Sequence, residues 1–129
     1  MVTRQKDVSD SGFQLRMQAE EAASVPGSES VGWMAISSGT DGSSTVGTTG
    51  VAVGNADYSI ALESDQTKEP FFFSAMQTFK GTDTATIRMK KNSAAAVAIF
   101  VEEEDSRDGE RTHAKEDVGF AALYNNPFS

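Results

Sequence analysis

The sequence predicts an all-β chain folded as one antiparallel β-sandwich, a jelly roll or another sandwich type, with about seven short strands. Three observations point there. Apolar residues recur with a period of two in several short runs, as in Phe13, Leu15 and Met17, which alternate with Gln14, Arg16 and Gln18. Those runs are punctuated by 11 glycines and by many Ser and Thr residues, the pattern of tight turns between strands. The whole is 129 residues, the size of one domain, which buries roughly two thirds of its unfolded surface without cross-links or metals.

The elements follow in order. Residues 1–12 read as an N-terminal arm, 13–124 as the sandwich, and 125–129 as a C-terminal tail. The first strand is "GFQLRMQ" and the second "VGWMAIS", residues 31–37. A Gly/Ser/Thr-rich stretch, "SSGTDGSSTVGTTGVAVGN", then has the composition of a mobile surface connection. "DYSIALE" places Tyr58, Ile60 and Leu62 on one side. "PFFFSAMQTF" is bulky enough for burial on both faces, and "DTATIRMKKN" alternates again. Those two runs flank "KGTD", Lys80 to Asp83, and so read as the arms of a hairpin. "AAAVAIFVEEE", with Val97, Ile99 and Val101 in step, and "DVGFAAL" complete the set. "RMQAEEAAS" and "NSAAAVAIF" are rich in helix formers, but alternation outranks propensity and both are assigned to strands.

Composition narrows the function classes. No apolar run approaches the roughly eighteen residues of a membrane span. Nineteen acidic and 11 basic residues give a net charge of -8, which opposes binding to nucleic acid and to anionic membranes. Zero cysteines remove disulfides, thiol nucleophiles and thiolate metal sites. The first residues, "MVTRQKDVSDSG", have no apolar stretch of the signal-peptide kind. An extracellular, cell-surface or virion location is the expectation, with exit by another route, a place inside the cell and a mature fragment given a start Met all left open by those first residues.

One phrase occurs twice. "ESVGWMAI", Glu29 to Ile36, and "EDVGFAAL", Glu116 to Leu123, share Glu, Val, Gly, an aromatic, Ala and an aliphatic at a constant offset of 87. Each follows an alternating run and an acidic connection, 14 positions from Met17 to Val31 and 17 from Val101 to Val118. Both copies therefore read as one kind of β-loop-β pair.

Gly12-Phe13-Gln14-Leu15-Arg16 with Val31-Gly32-Trp33-Met34-Ala35-Ile36, and Pro70 to Phe79 with Ile87-Arg88-Met89, resemble the pattern of the H-type lectin domain. That resemblance covers about half the chain, through packing residues. It implies an antiparallel sandwich that trimerises and binds N-acetylgalactosamine-like sugars. The run His113-Ala114-Lys115-Glu116-Asp117-Val118-Gly119-Phe120 also resembles the close of β-sandwich modules repeated in large surface proteins of marine bacteria. The first copy departs from that run, with Pro26 in place of the His. Equivalent strand pairs at both ends fit a permuted or interlocked repeat.

Catalysis has little to work with. His113 is the one histidine, no nucleophile elbow is present, and "GTTGVAVG" lacks the Lys-Ser/Thr ending of a phosphate loop. The expectation is a non-enzyme without a cofactor. Residues 102–117 hold eight acidic and three basic residues, about -5 in one connection. Glu103, Glu104, Asp105 and Asp108 are the oxygen donors that a calcium ion would take, if the segment is more than a solvated loop. Sugar sites combine a flat aromatic with convergent polar groups, for which Trp33, Arg88 and His113 are the candidate types. Each has a plainer reading: Trp33 as core, Arg88 as an exposed strand residue or inter-subunit salt bridge, His113 as a loop residue. Two functions follow as expectations, a homo-oligomeric carbohydrate-binding or adhesion module with a glycan ligand, or a structural subunit of a virion or filament joined by strand addition through its termini.

Overall fold

In a computed structural model, residues 1–20, 22–24, 27–63, 66–105, 109 and 112–124 are described. They form an antiparallel β-sandwich of nine strands, with no helix among them. These are β1 (Val2–Ser9), β2 (Gly12–Gln18), β3 (Gly39–Asp41), β4 (Ser44–Val53), β5 (Tyr58–Ala61), β6 (Phe71–Met76), β7 (Ala85–Asn92), β8 (Ala96–Glu103) and β9 (Glu116–Leu123). One sheet has the order β3-β4-β9-β6, the facing one β5-β8-β7, and β1 and β2 form a separate hairpin.

Alternation accounts for the core. On β8, Val97, Ile99 and Val101 are fully buried and face Val118 and Ala122 of β9, Met76 of β6, Val53 of β4 and Ile60 of β5. Cross-strand partners share a face, so Met76 opposite Val118 and Phe72 opposite Ala122 bring one side of β6 to the same interior. The same period carries Glu103 of β8 and Glu116 of β9 to the rim of that core, where both are buried. A strand's inward face is set by parity, and a carboxylate in step with the valines goes in with them.

Beyond the strand count, nine rather than about seven, β2 ends at Gln18 instead of running on through "AEEAAS", and Phe71 and Phe73 are exposed although "PFFFSAMQTF" predicts burial on both faces. Four further expectations change. The Gly/Ser/Thr-rich stretch after Ser37 is not a surface connection but contains β3 and β4, and β4 pairs with β9 from Ser44 opposite Leu123 to Val53 opposite Glu116. Its Thr and Val residues suit a strand, and Gly47 leaves space for the Phe120 ring, 3.3 Å from where a Cβ would stand. Residues 1–12 contain β1, whose register shifts near Asp7, a residue with φ of 53°. "VGWMAIS" is not a strand, because none of the described strands pairs with it in a hydrogen-bonded ladder. β6 and β7 are not hairpin partners: they belong to different sheets, and Lys80 to Asp83 cross between them.

Candidate functional site

The crossing between β6 and β7 surrounds a buried charged cluster. Glu116, at the first position of β9, is fully buried, as is the Arg4 side chain of β1. Arg4 Nη2 donates to Glu116 Oε1 at 2.5 Å, and Arg4 also donates to the carbonyls of Thr78, Gly81 and Asp83. The same carboxylate accepts the backbone N–H of Lys80 at 2.9 Å, that of Gly81 at 3.0 Å and the Thr78 hydroxyl at 2.5 Å. The loop therefore offers its amides to Glu116 and its carbonyls to Arg4, so one ion pair satisfies both polarities of the backbone.

His113 completes the arrangement. Its Nδ1 lies 2.9 Å from Glu103 Oε1 and its Nε2 lies 3.0 Å from Glu116 Oε1. A doubly protonated imidazolium donates to both, and two cations then balance two carboxylates. Burial opposes charge on His113, but its hydrogen bonds to Glu116 and Glu103 outweigh that and raise its pKa above the usual value. Burial also opposes the Glu116 carboxylate, yet His113, Thr78 and the amides of Gly81 and Lys80 bring its pKa down to about 2. The Arg4 pKa is lowered, chiefly by burial, against the pull of Glu116. Gly81 is required by packing, since a Cβ there would run into the His113 ring.

This cluster also fastens the N-terminal hairpin. The Arg4 guanidinium stacks 4.1 Å from the Phe79 ring centre, and Arg16 of β2 lies 4.4 Å from the same centre. Gln18 of β2 donates to the Thr82 carbonyl at 2.7 Å, and the Thr84 hydroxyl donates to the Ala19 carbonyl. Glu116 is thus closed off from solvent and fully engaged with its own loop, and its contact with Arg4 joins the hairpin to the sandwich.

The sequence candidates separate. Trp33, expected as core or as a sugar platform, is 68% exposed and makes an edge contact with Phe13, ring centres 5.6 Å apart. Arg88 lies on the exposed side of β7 and pairs with Glu102 at 2.5 Å. His113 is buried, so the three candidates do not converge on one surface. Glu103 is engaged by His113, and no group of three or more His, Cys, Asp or Glu among the described residues is arranged to hold a metal ion. Asp108 lies outside the described residues.

Comparison with known proteins gives no kinship. The chain matches no protein-family model, no curated protein and no solved structure. Its site is accordingly interpreted from its own geometry.

A second feature lies on the outer side of the β4-β9-β6 sheet. An open cleft of about 260 Å³ has Phe73, Ala121 and Val46 in its floor, and Val8, Met34 and Ile36 on its walls. Of its lining residues Val8, Met34, Ile36 and Phe73 are exposed, as are Trp33 and Phe71 elsewhere on the same segments. The sequence signal for this face is the first copy of the repeated phrase, whose apolar residues are left exposed. The buried cluster was harder to see. Arg4 stood in the presumed arm, and Glu116 was one acid among many, although the His113-x-x-Glu116 spacing was on view.

Proposed function

We propose that the protein is a non-enzymatic structural module whose work is association, joining other polypeptide chains by strand addition. The observation that carries this reading is the exposed segment of residues 31–36. Val31 is 36% exposed, Trp33 68%, Met34 66% and Ile36 42%, and Met34 and Ile36 line one cleft with the exposed Phe73 of β6, the last strand of its sheet. An apolar, strand-like segment next to a sheet edge suits addition to a neighbour's sheet, which removes apolar surface from water and satisfies backbone groups together. A homo-oligomer or filament at a surface or in a virion fits that role.

Light scattering across a dilution series tests it. Mass should grow with concentration in the native protein and stay monomeric in a Trp33→Ser, Ile36→Ser variant that keeps its β-sheet circular dichroism. A native protein that is monomeric at every concentration would end the assembly reading.

A carbohydrate-binding or adhesive module is the second reading, favoured by the exposure of Trp33, which leans edge-on against Phe13. A flat indole face beside apolar side chains suits the apolar face of a pyranose. A glycan array with the native protein and a Trp33→Ala variant separates the two, since a sugar site loses binding in the variant while the oligomer mass is unchanged.

A further inference from the structure

The N-terminal hairpin is paired in the same register as β7 and β8. Val2 faces Gln18, Thr3 faces Met17, Arg4 faces Arg16 and Gln5 faces Leu15. Adding 84 to each number gives Thr86 opposite Glu102, Ile87 opposite Val101, Arg88 opposite Phe100 and Met89 opposite Ile99, all of which are pairs of β7 and β8. The third strand of the set, β9, corresponds at an offset of 87 to residues 29–36. Residues 1–36 thus reproduce, in order, the last three strands of the sandwich.

Their environments are opposite. Val97, Ile99, Val101, Val118 and Ala122 are fully buried, whereas the counterparts Phe13, Leu15 and Met17 are only half-buried and Val31 and Ala35 are exposed. Beside Gly119 the Gln77 side chain occupies the place of a Cβ, but around Gly32 nothing lies within 4 Å. In the complete sandwich, β9 runs between β4 and β6, and β5 flanks β8. Strands of those kinds are what the first copy lacks among the described residues. The counterparts of Glu103 and His113 are Ala19 and Pro26, so the buried His-Glu pair is absent as a unit while the packing residues remain.

We infer that β1, β2 and residues 29–36 are the closing strands of a second sandwich module, and that their partner is a polypeptide carrying strands of the β3 to β6 kind. The fit is specific. In that module Met34 lies opposite a residue equivalent to Phe73, since Phe73 faces Ala121 and Ala121 corresponds to Met34. The contact of Arg4 with Glu116 is then the joint between two consecutive modules. This inference rests on the assembly reading and names the partner that the reading leaves open.

The test uses the full chain with a second copy of residues 38–84 added directly before Met1, the junction that the offset of 84 specifies. Acrylamide quenching of Trp33, the one tryptophan, should fall several-fold relative to the native chain. With Phe73→Cys in the added copy and Met34→Cys in the chain, a disulfide should form on mild oxidation, without interference because the native sequence has no cysteine. Unchanged quenching with no disulfide overturns the inference, and so does an added copy that stays protease-sensitive, because residues 1–36 are held to be sufficient partners for it. Association of the native chain through Trp33 is measured separately. If it persists while the extended chain fails these tests, assembly stands and the tandem partner falls.

Discussion

At the scale of single residues, Glu116 holds the largest share of the buried polar structure. It binds Arg4, His113, Thr78 and two backbone amides at once. Removing one partner of a buried ion pair strands the other, so Glu116→Gln should destabilise the fold by about 3–5 kcal/mol in urea denaturation. The pH dependence follows from the same contacts. The Glu116 pKa lies at about 2 in the fold against an ordinary 4.5, so its stabilisation is present above pH 4.5 and is lost as pH falls toward 2. His113 has the opposite sign. Its pKa is raised from 6.5, so its contribution is complete below pH 6.5 and is lost as pH rises through the folded value. Stability against pH should therefore decline on both sides of a mildly acidic maximum, and His113→Gln should abolish the loss on the alkaline side while also weakening the acid-side loss, because His113 helps to lower the Glu116 pKa.

Among the elements, the hairpin of β1 and β2 depends on side chains rather than on a shared sheet, since it hydrogen-bonds to neither of the two larger sheets as a strand. Arg4 is its principal anchor, assisted by Gln18 and by the Phe79 ring. Arg4→Ala should loosen the hairpin while the core of Val97, Ile99, Val101, Val118 and Ala122 stays folded. Limited proteolysis is the direct measurement, with faster cleavage between β2 and β3 and an intact fragment from β3 onward; cleavage spread evenly over the chain would refute local attachment. Gly81 belongs to the same joint. Gly81→Ala forces a methyl group into the space of the His113 ring, and overpacking of this kind costs about 1–3 kcal/mol, visible as a lower thermal midpoint.

For the whole molecule, the sandwich and the strands β2, β5, β7 and β8 were legible from alternation, because a strand with one buried face writes its parity into the sequence, while β6 was legible from its bulk and β9 from the repeated phrase. β3 and β4 were not, since small and β-branched polar residues in "GTDGSSTVGTTGVAV" carry no such contrast. Trp33 shows the reverse limit: its phrase has the pattern of a core strand, yet pattern states what a segment can bury, not whether a partner is present. By itself the sequence determined the fold class, the inward faces of β5 and β8 and the existence of a repeated phrase, all of which are local properties of residue order. Only the tertiary structure decided that Arg4 meets Glu116 across 112 positions, that His113 lies between two carboxylates, and that one copy of the phrase is buried while the other is bare. Burial and pairing between distant residues are properties of packing, and the energy of a charge depends on the surroundings that packing gives it.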